Sequence, residues 1–442
     1  MSFPRYPEYK DSGVEWLGEV PKHWGVSRSR RMFAVRSEPA LASDRMLTAS
    51  QKHGVLYQSD FVEMEGRRVV EVIMGKESLK HVEPDDFIIS MRSFQGGIEW
   101  CKLRGSTSFH YVMLKPIKEV HPPFFAHLFK SVTYIQALRT TTDLIRDGQE
   151  LRYSNFVQVD LPLVPMDEQS QIAIFLEREA AKIDALVEEQ RRLIALLKEK
   201  RQAVISQAVT RGLNPHAPMK PSGLEWLGDV PEHWYVCSIR RVVTAIEQGW
   251  SPECFARPAE DEEWGVLKAG CVNRGIYEQN DNKALPSELA PMPEYEVRVG
   301  DVLMSRASGS PELVGSTALV TSTREKLMLS DKIFRLRFDQ QMEPKFFVAA
   351  LNSRPLRSQI EQALSGGNGL ANNLPQSSLR GLFLTVPPKQ EQLEVCEFLE
   401  SELAKFDTLT TEAQHAIDLL QERRTALISA AVTGQIDIRE QE

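Results

Sequence analysis

The longest unbroken amphipathic pattern in the chain occurs twice. In the first copy Leu176, Ile183, Leu197 and Val204 recur on a seven-residue grid, with Ile172, Leu186 and Leu193 on a companion grid. In the second, Leu399, Phe406, Leu420 and Leu427 recur in the same way, with Val395 and Leu409 beside them. A stripe of this spacing predicts a long helix that packs against another helix. The copies begin at Pro165 and Pro388 and match at one constant offset of 223 positions, as in Glu168/Glu391, Gln169/Gln392, Asp184/Asp407, Arg201/Arg424 and Thr210/Thr433. No Pro or Gly interrupts either run, and Gly212 and Gly434 follow as stop signals. At about 1.5 Å per residue each helix would reach roughly 60 Å. A helix that long with a continuous apolar stripe needs a partner, and the economical arrangement packs the two copies on each other. Two ordinary core helices in separate domains are the simpler alternative, but domain helices average about three turns.

A second repeat lies upstream of each helix. Tyr9 to Arg31 returns as Met219 to Arg241 at an offset of 210, pairing Trp16/Trp226, Pro21/Pro231, His23/His233, Trp24/Trp234 and Arg31/Arg241. Trp, Pro and Gly at this density predict an irregular loop that docks Trp16, Trp24, Trp226 and Trp234 on something rigid. The histidines read as packing residues, since no Cys, Ser or carboxylate pattern accompanies them. The offset changes from 210 to 223 between the two repeats, so the intervening stretches differ in length by 13 residues. There the resemblance fades, apart from Leu151/Leu374 and Phe156/Leu379 just before each helix. The plan is docking loop, variable domain, long helix, and the same again: a duplicated scaffold carrying a payload that is not duplicated.

The variable stretches read as mixed α/β with short strands. FIISMRSF, GIEWCKL and FHYVMLKP in the first, and YEVRVGDVLMSRASGS, GSTALVT and KIFRLRFD in the second, alternate or run apolar between turn signals. Helical pieces follow over Pro123–Leu138 and Pro344–Leu364. SGGNGLANN is a flexible loop without the Lys-Ser/Thr of a phosphate-binding loop. The expected segments are 1–160, a first domain with its docking loop; 161–212, the first helix; 213–383, a Pro/Gly-rich linker and second domain; and 384–442, the second helix and tail.

Composition narrows the function more by what is missing. The 442 residues are 42% hydrophobic and 26% charged, with a formal net charge of −8. Residues 384–442 hold five basic against twelve acidic residues, so the acidity gathers on the second helix and its tail, and a nucleic-acid partner for the globular parts stays open. The five cysteines show no CxxC spacing, and no apolar run approaches the roughly 18 residues that span a bilayer. The chain reads as cytoplasmic, without a membrane segment or a metal site. It has no HExxH, no GxSxG, no GxGxxG after a strand and no GxxxxGK[ST], nor the Asn-Pro-Pro-aromatic run that holds a flipped base.

The SGVEWLGEVPKHW/SGLEWLGDVPEHW pair, the P-x-x-E-Q helix openings and the ALISAAVTG-Q-I-D ending resemble the specificity (S) subunit of type I restriction–modification systems. The resemblance covers essentially the whole chain. It implies a mixed α/β (α+β) architecture with a pseudo-twofold internal repeat: two DNA target-recognition domains separated by two long conserved helices that pack as an antiparallel coiled coil. It implies a non-catalytic chain without a cofactor of its own, which recognises a gapped, asymmetric, bipartite site in double-stranded DNA. The implied partners are two methyltransferase (M) subunits, which bind S-adenosylmethionine, and two restriction (R) subunits, which use ATP. Base readout needs polar side chains on loops that enter a groove. Arg92, Ser93 and Gln95 in the first domain and Arg306, Ser308 and Ser310 in the second fit that requirement, and fit ordinary turns equally well. Arg30/Arg31 and Arg240/Arg241 are candidate phosphate contacts. A non-catalytic coiled-coil scaffold with two ligand-binding heads is the alternative reading.

Overall fold

The computed structural model describes residues 3–66, 79–90, 93–141, 151–364 and 372–439. They form two compact units, one comprising Met1–Arg191 with Gln414–Glu442 and the other Arg192–Ala413. Each unit therefore owns the start of one long helix and the end of the other.

The first unit is built on four strands, β1 (Phe33–Val35), β2 (Phe87–Ile89), β3 (Glu99–Trp100) and β4 (Val112–Pro116), in the antiparallel order β1-β4-β2-β3. Helices α1 (Pro122–Lys130) and α2 (Val132–Thr140) follow, and then the long helix α3 (Met166–Arg211). The second unit has strands β5 (Val243–Gln248), β6 (Val302–Ser305), β7 (Thr317–Leu319) and β8 (Ile333–Phe338) in the order β5-β8-β6-β7. Helices α4 (Pro344–Leu351) and α5 (Arg354–Ala363) precede its long helix, α6 (Lys389–Val432). The payload is thus duplicated as well. Leu114 pairs with Val35 and Phe87, and Leu336 pairs with Ile246 and Val302 in the same places.

The duplication is faint in the sequence because most equivalent core positions keep hydrophobicity but not identity. Phe33, Phe87, Phe125, Phe129 and Phe156 make edge-to-face contacts at 5.1–6.0 Å in the first core. Their counterparts Val243, Val302, Phe347, Leu351 and Leu379 share one buried cluster in the second. Burying either set yields similar transfer free energy per unit area, so packing constrains volume more than residue type. Between the units the offset drifts from 210 (Phe33/Val243) to 215 (Phe87/Val302), 222 (Phe125/Phe347) and 223 (Phe156/Leu379), which accounts for the 13 extra residues in three steps. A legible signal was present at offset 222 in Pro122/Pro344, Phe124/Phe346, Phe125/Phe347 and Ser131/Ser353. Those serines divide each expected helical piece in two: Ser131 Oγ donates to Leu128 O at 2.7 Å and Ser353 Oγ to Ala350 O at 2.6 Å.

Along α3 the seam consists of Leu176, Ala180, Ile183, Val187, Leu197 and Ala208, all buried, with Gln190, Ile194, Arg201 and Val204 half-buried between them. These positions alternate in steps of four and three. Their partners at offset 223 on α6 repeat the pattern, with Leu399, Phe406, Ala413, Ile417, Leu427 and Ala431 buried and Leu420 half-buried. The companion grid read from the sequence needs correcting here. Leu186, Leu193 and Leu409 are 46%, 42% and 45% exposed, because the companion positions of the seam on α3 are Ala180, Val187, Ile194, Arg201 and Ala208, whose mix of small, apolar and charged side chains hides the grid from a search for large apolar residues. In the first unit Ile172 and Leu176 share a core with Leu427, Ala431 and Val432, and Asp184 pairs with Arg424 at 3.3 Å. In the second, Ala208 and Val209 pack with Val395 and Leu399, and Arg201 pairs with Asp407. Within each unit the two helix segments therefore run in opposite directions.

Candidate nucleic-acid interface

In both units one end of the sheet is tied to the long helices and the other is free. The turn Ser29–Arg31 leads into β1, with Ser29 Oγ donating to Val159 O. Val159 lies just before the strand Leu161–Leu163 that leads into α3. In the second unit Ile239 N donates to Leu382 O at 2.8 Å, directly before the strand Phe383–Val386 that leads into α6. The polar loops gather at the opposite end. In the second unit these are Gly249–Ser251 after β5, Arg306–Ser310 after β6 and Ser330–Lys332 before β8, with Asn372–Asn373 paired to Ala307–Ser308. Gln248 Nε2 donates to Asp331 O at 3.1 Å, and Lys332 Nζ lies 2.8 Å from the Asp331 carboxylate. The same end of the first unit carries Ser93–Gly96 after β2 and Ser108–Tyr111 before β4, where Phe109 is exposed against His110.

The sequence candidates fall unevenly on this end. Arg92 lies outside the described residues, as does most of the SGGNGLANN loop. Ser93 is only 1% exposed and its Oγ accepts from Ser90 N at 2.8 Å, so it shapes the turn instead of facing a partner. Gln95 is exposed. Arg306, Ser308 and Ser310 come together, with Ser310 N bonded to Ser308 Oγ at 3.2 Å. Arg306 Nε and Nη2 both donate to Asn373 Oδ1, at 3.0 and 2.9 Å. Asn373, Lys332 and Gln248 were missed, since each belongs to a different strand end and only the sheet assembles them. The arginine pairs Arg30/Arg31 and Arg240/Arg241 are exposed but sit on the tethered end, apart from these loops.

The docking loops find their rigid partner in the first turn of each long helix. Glu168 accepts from Trp24 Nε1 at 3.0 Å, from the Tyr6 hydroxyl, and contacts His23 Nε2 at 2.8 Å. Burial, together with this bond to Glu168, pushes the Tyr6 hydroxyl well above the ordinary phenol range, so it remains a donor. Glu391 accepts from Trp234 Nε1 at 3.0 Å and contacts His233 Nε2 at 2.7 Å. The carboxylates suit a helix start, where the macrodipole favours negative charge. The neighbouring glutamines brace the variable domains: Gln169 Oε1 accepts from His121 N at 2.9 Å and Gln392 Oε1 from Glu343 N at 2.7 Å. Trp16 Nε1 donates to Asp160 O at 3.0 Å with its ring edge-on to Tyr134. Its counterpart Trp226 corrects the expectation of four docked tryptophans. It is 41% exposed, and Leu356 stands where the first unit has Tyr134.

Among the described residues no helix is long and apolar enough to cross a membrane, and no group of three or more His, Cys, Asp or Glu could hold a metal ion.

No protein-family model matches the chain. It is 33% identical over 240 residues to the type I restriction enzyme EcoEI specificity subunit of Escherichia coli, a match covering 54% of this chain and 40% of that protein. It is 24% identical to the EcoKI specificity subunit of Escherichia coli K12 and to the StySPI specificity subunit of Salmonella potsdam, covering 82% of this chain and 76% of each relative. Among solved structures the fold matches a chain from work on complex assembly and conformational transition of the type I R-M system, with a TM-score of 0.64 at 16% identity, covering 93% of this chain and 98% of that one. It also matches the HsdS subunit of Thermoanaerobacter tengcongensis, with a TM-score of 0.52 at 15% identity, covering 94% and 98%. The chain is therefore similar in sequence to type I restriction specificity subunits, and its fold is similar to that of the solved chains.

Proposed function

We propose that this chain is the sequence-reading, non-catalytic subunit of a type I restriction–modification system. In this reading each unit's variable domain recognises one half of a gapped, asymmetric site in double-stranded DNA. The two long helices pair along their whole length as an antiparallel coiled coil. Two methyltransferase subunits and two restriction subunits assemble on the chain in the cytoplasm. S-adenosylmethionine and ATP are held by those partners, and this chain supplies neither a cofactor site nor a reacting group.

The observation that carries the reading is that two sheets of identical strand order, each tethered at one end to a long helix, present different polar loops at their free ends. Identical frames with different reading edges suit a site whose halves differ in sequence. The frames need rigid mounting, and Glu168 and Glu391 supply it at equivalent positions. Major-groove readout requires donors and acceptors on projecting loops, which the strand ends provide. The test is to purify the chain with and without methyltransferase subunits, supply S-adenosylmethionine and map methylation on genomic DNA. A bipartite methylated motif from the complex and no methyl transfer by the chain alone are expected. Methyl transfer by the chain alone, or methylation by the complex without a bipartite motif, overturns the reading.

A further inference from the structure

Arg306 leaves β6 at the free end of the second sheet and is fixed on both sides of its backbone. Its N donates to Lys332 O at 2.9 Å, and its O accepts from Leu374 N at 2.8 Å. The guanidinium carbon lies 5.3 Å from the centre of the Phe334 ring, which restrains the plane of the group. Both Nε and Nη2 donate to the one oxygen Asn373 Oδ1. A guanidinium offers two forks, a side fork from Nε and Nη2 and an end fork from Nη1 and Nη2. Asn373 occupies the side fork. The end fork takes no bond among the described residues.

A held arginine with its end fork open has a defined complement. Guanine presents N7 and O6 as adjacent acceptors on its major-groove edge, and two parallel N–H groups match them. Adenine replaces O6 with an amino donor, which opposes the fork. Phosphate also accepts two such bonds, but the backbone offers the same acceptors at every step of the duplex, so a phosphate contact would not change tolerance at a single base position. Resting on the DNA-reading function above, we propose that Arg306 reads a guanine in the half-site contacted by the second unit and that Asn373 is its positioning residue. At the offset of 215 the sequence of the first unit carries Met91 against Arg306.

The test uses the full chain assembled with its methyltransferase subunits. Arg306→Lys keeps the charge and removes the fork. It should raise tolerance of other bases at one guanine of the second half-site by roughly 10- to 100-fold, and leave every position of the first half-site unchanged. Asn373→Ala frees the guanidinium and should relax the same position by a smaller factor, about threefold to tenfold. A merely structural role for either residue would lower methylation evenly at all positions, and that result would overturn the assignment. Substituted DNA tests the wild-type complex without any dependence on how the variants fold. 7-deazaguanine at that position should weaken binding about fivefold to tenfold, whereas inosine, which keeps N7 and O6, should be tolerated. Equal binding of all three, or a second half-site without a guanine, would also sink the proposal. A wild-type complex that methylates no bipartite site would instead refute the DNA-reading function itself.

Discussion

The two docking stations perform one task with different means, and the difference lies in how the chain reaches them. In the second unit the end of α3 runs through a continuous linker from Gly212 to the strand Met219–Pro221, so the loop that carries Trp234 is delivered covalently. In the first unit the end of α6 and the loop that carries Trp24 belong to opposite ends of the chain. There the closure is made by side chains and backbone. Tyr9 OH donates to Gly434 O at 3.0 Å, Gln435 Nε2 to Glu19 O at 2.9 Å and Asp437 N to Pro4 O at 2.8 Å. Arg439 lies over the Tyr6 ring at 4.8 Å, and Tyr6 packs against Tyr9, His23 and Trp24. A covalent link carries no closure entropy beyond its own loop, whereas a junction between termini must be held by contacts. The added tyrosines and the tail after Gly434 are those contacts. His216 and Met219 occupy the positions equivalent to Tyr6 and Tyr9.

The largest effect expected from this comparison is functional. Because equivalent frames bracket each variable domain, exchanging residues 36–150 for the counterpart of another such subunit should replace one half-site and leave the other intact, as read by methylome sequencing. Change in both halves, or in neither, would break the equivalence of the two units.

The next effect separates the stations. Glu168→Ala strands the Trp24 and Tyr6 donors in a buried place and should cost roughly 3 kcal/mol, while Glu391→Ala, with fewer donors and a less buried carboxylate, should cost about 1–2 kcal/mol. Denaturant unfolding of the two variants measures both, and equal losses would show that the Tyr6 contact adds nothing. A smaller contrast concerns the glycines that end the helices. Both adopt positive φ, 73° at Gly434 and 74° at Gly212. An added Cβ at Gly434 would approach Pro21 Cδ to 2.4 Å, whereas at Gly212 the nearest atom is Trp234 Cζ2 at 3.1 Å. Gly434→Ala should cost about 2 kcal/mol and Gly212→Ala about 1 kcal/mol in thermal melts. The reverse order would contradict the tighter closure of the first station. Smallest of all, Arg201→Ala and Arg424→Ala should each cost under about 1 kcal/mol and by similar amounts, because both pairs are solvent-exposed. A double-mutant cycle with Asp407 or Asp184 that returned several kcal/mol would show that these pairs set the helix register.

By itself the sequence determined the two long helices, their shared offset, their stop glycines and the existence of two docking loops. Each is encoded by residues close together along the chain: a heptad stripe, an uninterrupted run, a Trp/Pro/Gly cluster. Tertiary structure decided three things. It showed that the payload is duplicated, because Phe33/Val243 and Phe129/Leu351 conserve burial without identity and the offset drifts through three insertions. It placed the seam on Ala180, Gln190 and Arg201 instead of Leu186 and Leu193, because helix pairing selects positions by geometry and accepts small or long amphipathic side chains there. It brought Arg306, Asn373, Lys332 and Gln248 to one sheet end from four separate stretches of chain. Hydrogen-bonded strand pairing assembled that group, and no local pattern in the sequence records which strands will pair.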